Sequence, residues 1–167
     1  RNICKYREFG DVQQHRDYLH YRYHQVVSKR DVVYFLGDIC FTPEALQDLS
    51  GWVGRKVLIL GNHDTQSGTA SILELAEVFT GGIHSLLRYK EFWLSHAPLH
   101  NLELRGKFNI HGHVHNSTIP DARYINASVE NLNYRPVSLD EVRATINSRR
   151  ATGMTWKLTD IGCEFGW

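Results

Sequence analysis

Residues 111–115 read HGHVH, so three histidines fall within five positions of a chain that contains ten. Neutral imidazole is a common metal ligand, and such a stretch can hold an ion if other loops bring further ligands to it. Three other segments carry suitable side chains: Asp38 in GDIC, Asn62, His63 and Asp64 in GNHD, and His96 in SHAP. Carboxylate, amide oxygen and imidazole are ligands that Mn, Fe, Zn or Ni accept. No cysteine belongs to the set, which argues against a structural zinc site.

Each of the four segments follows a stretch that predicts a β-strand. Residues 32–36, VVYFL, and 57–60, VLIL, are continuous apolar runs that end at a glycine, a pattern typical of strands buried on both faces. In EFWLSHAP and in KFNIHGHVH, a shorter predicted strand comes directly before the histidine segment. Ligands of open α/β sheets bind beyond the carboxyl ends of the strands, so we expect the polar side chains to meet there.

Helical patterns alternate with the first strands. Residues 12–28 show a rough helical spacing of apolar side chains, and Asp11 is a suitable N-cap. Further helices are predicted from Pro43 onward with Thr42 as cap, over 69–79, and over 138–150 with a capping box of Ser138 and Glu141. GIHSLLRY and EFWLSHAP predict the two strands of a hairpin, and ARYINAS a further strand. This order predicts an α/β fold.

The bulk composition is that of a globular domain. The 167 residues suit one domain, which we assign to 1–167 with residues 151–167 as a tail of uncertain role. The formal charge of +1 does not favour a nucleic-acid-coating protein, but it leaves room for a local phosphate site. No apolar run approaches the roughly 18–20 residues of a membrane span, and no secretory signal is visible. The three cysteines lack CxxC spacing, which favours a reducing compartment.

The order of the motifs resembles that of a known family. GD, GNHD, a later single histidine and GHxH resemble the calcineurin-like metallophosphoesterase superfamily, and RYINASVENLNYRPVSLDEV looks like the C-terminal part of its small, cap-less bacterial and phage branch. The resemblance runs from residue 1 to about residue 149. It implies an α/β/β/α sandwich and a hydrolase that cleaves phosphomonoesters or phosphodiesters by means of a hydroxide activated by two metal ions.

The resemblance also implies a role for each matching residue. Asp38 would bridge both metals, and His115 would bind the first metal. Asn62, His96 and His113 would bind the second metal. His63 would be the catalytic histidine, oriented by Asp64, and would stabilise the transition state or protonate the leaving oxygen. The two ions would be divalent Mn, Fe, Zn or Ni, with Mn favoured. We expect His111 either to support the ligands or to be simply structural.

One element of the family pattern does not occur between Arg1 and Asp38. The family opens with a strand that carries Asp-x-His, whose two residues bind the first metal, and in the small branch a segment like RNI follows it closely. We therefore expect an α/β/β/α sandwich whose first strand is lacking or not shown, and we favour a strand that precedes Arg1. The alternative is a catalytically impaired binding or regulatory protein that kept the fold but lost the first metal site.

The expected partner is a phosphate ester substrate. The chain is too short for a large cap, so we expect an open site and favour phosphodiesters such as nucleotides or nucleic-acid ends over phosphomonoesters. This preference rests on family analogy. No membrane partner is expected, a homo-oligomer is left open, and the expected location is the cytoplasm of a bacterial or phage-infected cell.

Overall fold

The computed structural model describes residues 6–39, 42–66 and 70–152. The helices with given bounds are α1 (Val12–His24), α2 (Pro43–Ser50), α3 (Ile72–Val78) and α4 (Leu139–Thr152). The strands are β1 (Val32–Phe35), β2 (Arg55–Ile59), β3 (Ile83–His84), β4 (Leu87–Tyr89), β5 (Phe92–Ser95), β6 (Phe108–His111) and β7 (Tyr124–Asn126). Most of the tail, residues 153–167, and all three cysteines lie outside the described residues.

The strands form two sheets. The first has the order β1-β2-β3 with parallel pairing throughout. The second has the order β4-β5-β6-β7, in which β4 and β5 form the predicted antiparallel hairpin and the remaining pairs are parallel. The predicted α/β class is therefore confirmed. Among the described residues, none of the helices combines the length and the apolar character that crossing a bilayer requires.

Adjacent residues of β2 connect two hydrophobic clusters. Leu58 is fully buried and packs in a cluster with residues of α2 and α3, such as Leu46 and Leu75. Ile59, also fully buried, packs with the second sheet and with α4, through residues such as Ile110 and Val142. Successive strand residues point to opposite faces, so helices cover one face of the first sheet and the second sheet lies against the other. Burial of each such side chain contributes roughly 1.5–3 kcal/mol.

Three of the predicted helix starts are confirmed by their capping bonds, whereas the helix predicted over 69–79 begins at Ile72, with Ser71 as its N-cap. The Asp11 carboxylate accepts from the Gln14 N–H at 2.7 Å at the start of α1. The Thr42 hydroxyl accepts from the Ala45 N–H at 3.3 Å before α2. Ser138 and Glu141 form the expected reciprocal pair before α4, at 3.2 and 2.7 Å. Helix α1 ends at His24, four residues earlier than the predicted end at residue 28.

Two strand predictions need correction. The sequence predicts one strand over residues 82–89, but Ile83 and His84 pair with β2 in the first sheet, and Leu87 begins the hairpin of the second. Periodicity cannot reveal this switch, because both halves alternate in the same way. Strand β1 is less buried than predicted: Val32 is 47% exposed, because β1 pairs with β2 along one edge in the described part of the chain.

Candidate metal centre

The four motif segments meet at the carboxyl ends of their strands, as the sequence predicts. Asp38 follows β1, Asn62 follows β2, His96 directly follows β5, and His113 follows β6. The pairing of Ser95 with His111 brings the ends of β5 and β6 level, and the Gly112 N–H donates to the His96 carbonyl at 2.9 Å. These main-chain contacts place the side chains of four separate segments within reach of one another.

Two glycines allow the loops after β1 and β2 to touch. Gly37 has a φ of 85°, and a Cβ added there would lie 2.6 Å from Gly61 Cα and 2.7 Å from His96 Nδ1. A Cβ on Gly61 would collide with the side chain and backbone of Asp38. Real Cβ atoms do not approach other atoms so closely, so both positions require glycine for close backbone approach.

Asp64 joins the same two loops from below. Its side chain is fully buried and accepts hydrogen bonds from the main-chain N–H groups of Asp38 at 3.0 Å, Ile39 at 2.8 Å and Gly61 at 2.7 Å. A buried carboxylate with several N–H donors is well satisfied and rigidifies the backbone around it. Asp64 therefore fixes the position of Asp38 relative to the GNHD loop.

The ring of His96 lies at the centre of the site. Its Nδ1 atom is 2.7 Å from the Leu36 carbonyl oxygen, which can only accept, so Nδ1 carries the proton in that bond. The opposite nitrogen, Nε2, is 2.9 Å from Asn62 Oδ1, 2.9 Å from His113 Nδ1 and 3.3 Å from Asp38 Oδ2. Four side chains thus direct polar atoms at one point, and His96 itself is 7% exposed.

The atoms around His96 Nε2 attract positive charge. Burial lowers the pKa of His96, but the contacts with Asp38 and with the Leu36 carbonyl raise it by more, so the net pKa lies above its ordinary value. Burial raises the pKa of the Asp38 carboxyl, but the bonds from His96 and from the His63 N–H lower it by more, and the net pKa is depressed. A cation placed among these groups would be stabilised by each of them.

The donor set fits a divalent transition metal. Asp38, His96 and His113 each offer one ligand atom, and these atoms lie within 4.8 Å of one another. Among the described residues, this is the one group of three or more Asp, Glu, His or Cys side chains whose ligand atoms lie this close together. Asn62 adds an amide oxygen at the same point. One carboxylate, one amide oxygen and two imidazoles suit Mn, Fe, Zn or Ni better than Ca or Mg.

His63 borders this group. Its main-chain N–H donates to Asp38 Oδ1 at 2.9 Å, and its ring Nδ1 lies 2.7 Å from Gln66 Oε1. Because an amide oxygen only accepts, the Nδ1 proton is donated to Gln66. His63 therefore contributes its backbone to the metal group, while Gln66 holds its imidazole ring.

His115 lies outside the group of three and has different surroundings. Its Nδ1 atom is 3.0 Å from Glu130 Oε1, and Arg7 Nε donates to that same oxygen at 2.9 Å. Burial raises the pKa of the Glu130 carboxyl, but the bonds from its own backbone, from His115 and from Arg7 lower it by more. The net pKa is depressed, so Glu130 is a carboxylate held between two donors. The assignment of His115 to the first metal remains a prediction.

The predicted ligands have an unusual backbone. Asp38, His113 and His115 have φ values of 54°, 68° and 51°. Non-glycine residues in this left-handed region cost of order 1–3 kcal/mol each unless the surroundings enforce the conformation, and such residues cluster at functional sites. The strain here is offset by the main-chain and side-chain bonds that hold these loops.

The other histidines lie apart from the metal group. His111 is 1% exposed in β6, its Nδ1 lies 3.0 Å from the Gly112 carbonyl, and burial lowers its pKa. Its supporting role stays a prediction. His20 and His24 stack with ring centroids 4.1 Å apart on α1, and the His20 ring lies 5.6 Å from that of Trp52.

Sequence reasoning missed three residues of this region. Glu130, Arg7 and Gln66 contact predicted site residues, yet the resemblance assigns none of them a role, although Glu130 lies within the matching segment RYINASVENLNYRPVSLDEV. Arg7 and Glu130 are 123 positions apart, so no local spacing could link them. Gln66 follows GNHD by two residues, and proximity to a motif was the available signal for it.

The chain is similar to proteins from archaea, phages and bacteria. No family profile matches it. It is 35% identical over 157 residues to the uncharacterized protein MJ1445 of Methanocaldococcus jannaschii, covering 83% of this chain and 80% of the relative. It is 32% identical over 162 residues to the Gene 66 protein of Mycobacterium phage D29, covering 72% and 77%. A crystal structure of the Aquifex aeolicus protein of unknown function AQ665 shares the fold, with a TM-score of 0.63, 24% identity, and coverage of 86% and 91%.

Proposed function

The chain belongs to the family of the archaeal protein MJ1445, and we propose that it is a metal-dependent phosphoesterase of the calcineurin-like metallophosphoesterase superfamily. The observation that carries this proposal is the convergence of Asp38, Asn62 and His113 on Nε2 of His96. These residues come from the ordered motifs GD, GNHD, SHAP and GHVH, and each lies beyond the end of a strand. A metal ion bound at such a point could polarise a phosphoryl oxygen and activate a water molecule.

The packing of the elements supports the corresponding fold. Helices α2 and α3 pack on the first sheet through Leu58. The second sheet lies against the other face through Ile59, and α4 packs in the same cluster through Val142 and Ile146. This packing supports the proposal of an α/β/β/α sandwich.

We assign two divalent ions to the site, with Mn²⁺ favoured. Asn62, His96 and His113 would hold the second ion together with Asp38. His115 and Asp38 would hold the first, with the Asp-x-His pair of the family, which does not occur in residues 1–167. When bound, such ions lower the pKa of a water molecule to about 7 and neutralise the developing charge of a phosphoryl group.

The protein's own groups position the substrate and move a proton. Asp64 holds the Asp38 loop and the GNHD loop together, so the ligands keep their spacing through a reaction. In the proposed reaction His63 stabilises the transition state or gives a proton to the leaving oxygen, and Gln66 orients its ring from Nδ1. Because Nδ1 is engaged by Gln66, Nε2 is the nitrogen that would face the leaving group.

The exposure of the site favours accessible phosphate esters. Asn62 and His113 are both exposed at the surface, so the phosphate of a nucleotide or of a nucleic-acid end could reach them without entry into a deep pocket. The preference for phosphodiesters over phosphomonoesters rests on family analogy.

Hydrolysis of two chromogenic esters tests the proposal. The full protein is assayed with Mn²⁺ or Ni²⁺ on bis-p-nitrophenyl phosphate and p-nitrophenyl phosphate. We expect metal-dependent turnover, faster on the diester, that Asp38→Asn abolishes and His63→Ala lowers by about 10²–10⁴-fold. Metal content should fall in Asp38→Asn and stay unchanged in His63→Ala, because the N–H bond from residue 63 to Asp38 does not need the imidazole. A folded, complete protein that hydrolyses neither ester with any metal would overturn the catalytic proposal and favour a binding role.

A further inference from the structure

The second histidine of GHVH is held by a carboxylate to which the family motifs assign no role. Glu130 lies in the 3-10 turn Val129–Asn131 after β7, and its side chain is 11% exposed. Its Oε1 atom lies 3.0 Å from His115 Nδ1 and 2.9 Å from Arg7 Nε. A guanidinium only donates and a carboxylate oxygen accepts, so the bonds from Arg7 and His115 converge on one oxygen.

Arg7 is itself held in place from the side opposite Glu130. Its Nη1 atom lies 3.2 Å from Nε2 of His15, a residue of α1 that is 8% exposed. The ring of Phe9 packs 4.8 Å from the His15 ring, and the Arg7 side chain is 15% exposed. Arg7 therefore cannot leave Glu130 without breaking contacts on both sides. A buried ion pair of this kind is costly to disturb, because it would leave an uncompensated charge.

The contact with Glu130 decides which nitrogen of His115 has a lone pair. A neutral imidazole has one N–H and one lone pair, and the N–H lies at Nδ1 when that atom donates to a carboxylate. Nε2 then has the lone pair that a metal ion needs. The main chain of His115 is also held, because its carbonyl oxygen accepts from Asn131 Nδ2 at 2.7 Å. The ring of Tyr6 packs edge-on at 5.4 Å against the imidazole.

We propose that Glu130, held by Arg7, is a positioning residue that fixes the orientation of His115 and directs its Nε2 lone pair to a metal ion. This inference rests on the proposed function, because it takes His115 as a metal ligand. A carboxylate behind a ligating imidazole fixes the tautomer and raises the basicity of the ligand. This role would explain why the Glu130 side chain is buried together with Arg7 next to the exposed His115.

The experiment compares substitutions of Glu130 with substitutions of Glu91 in the full protein. Glu91 is the control, because its Oε1 also accepts a hydrogen bond from an arginine, Nε of Arg143, at 2.7 Å. Glu91 stands before β5, whereas the metal ligand His96 stands after β5, so Glu91 lies at the other end of the strand. Ring ¹⁵N shifts of His115 are recorded by NMR without metal. Mn²⁺ affinity is recorded by calorimetry for the site that His115→Ala removes.

The wild type and Glu91→Gln should show the Nδ1–H tautomer of His115 and equal Mn²⁺ affinity. In Glu130→Gln, the population of that tautomer should decrease and the Mn²⁺ affinity should fall about tenfold. In Glu130→Ala, most of that tautomer should be lost and the Mn²⁺ affinity should fall about 100-fold. Should Glu130→Ala fail to fold, the shape-preserving Glu130→Gln decides. Folded Glu130 variants with wild-type shifts and wild-type affinity would overturn the positioning role.

The same experiment separates this inference from the proposed function. If the wild type bound no Mn²⁺ and hydrolysed no ester, the phosphoesterase proposal would fail. The ¹⁵N shifts would still show whether Glu130 sets the tautomer of His115. If the wild type bound Mn²⁺ and turned over normally, while Glu130→Gln and Glu130→Ala did the same, the phosphoesterase would stand and the positioning role would fall.

Discussion

His113 and His115 stand two residues apart on one loop, both with positive φ, yet their rings meet opposite surroundings. Nδ1 of His113 lies 2.9 Å from another imidazole nitrogen, in a group completed by Asp38 and Asn62. Nδ1 of His115 instead lies 3.0 Å from Glu130, a carboxylate that Arg7 already pairs. The first group is rich in acceptors, whereas in the second two donors meet at one carboxylate oxygen.

This difference shows that two histidines of one motif can have different electrostatic surroundings, which the motif itself does not reveal. Acceptor atoms that converge repel one another, and a cation relieves that repulsion. Where a carboxylate is paired with a guanidinium, the local charge is already balanced and a further cation gains less. Strong metal binding is therefore expected at Asp38, His96 and His113, while His115 is arranged in advance by the protein around it.

The sharpest test of this comparison replaces each histidine in turn. His113→Ala should weaken the tighter Mn²⁺ site by at least about 100-fold, because it removes a direct ligand. His115→Ala should leave that site within about tenfold of the wild type, since its ring is not part of the group. Elemental analysis after dialysis and calorimetry measure both. Equal losses in the two variants would show that the two histidines are equivalent ligands.

A second test concerns the glycines beneath the two regions. Gly37→Ala should lower the free energy of unfolding by about 2–3 kcal/mol and reduce metal binding, because the added Cβ would lie 2.7 Å from His96 Nδ1 and φ is 85°. Gly112→Ala is the matched control. Its Cβ would meet ordinary contacts at 3.6–3.9 Å, so stability should stay within about 1 kcal/mol. Urea denaturation measures both, and a tolerated Gly37→Ala would contradict the packing described for the Asp38 loop.

The smallest effect is expected from pH, at the far end of the His115 network. Burial, and then Arg7, lower the pKa of His15 from its ordinary 6.5, against a smaller rise from Glu130. Below pH 6.5 the unfolded chain gains a proton that folded His15 resists, so stability should fall as pH drops and rise as pH increases. One proton changes stability by at most about 1.4 kcal/mol per pH unit. Denaturation between pH 5 and 8 should show a shallower slope in His15→Gln, and an unchanged slope would count against this network.

The parts of the fold and site that local sequence could predict are those written in neighbouring residues. The caps Asp11, Thr42 and Ser138 follow from side chains three positions from their partners. The meeting of Asp38 with His96 follows from polar residues placed after apolar runs, since strand ends share an edge. Such features can be recognised from the local sequence without knowledge of the tertiary structure.

What could not be predicted depends on contacts between distant segments. Arg7 and Glu130 are 123 positions apart in sequence, and no local spacing connects them. The division of residues 82–89 between two sheets is likewise decided by which neighbours are present, not by alternation. The contact between His115 and Glu130 could not be predicted for the same reason, because the two residues are 15 positions apart and meet only in the folded chain.

The most direct test of the metal centre is a crystal structure of the full protein grown with Mn²⁺, with anomalous data collected at the Mn edge. We predict an anomalous peak within direct bonding distance of ligand atoms of Asp38, His96 and His113, with Asn62 Oδ1 in the same coordination shell. An ordered site without a peak at saturating Mn²⁺, or a peak held by other residues, would contradict it.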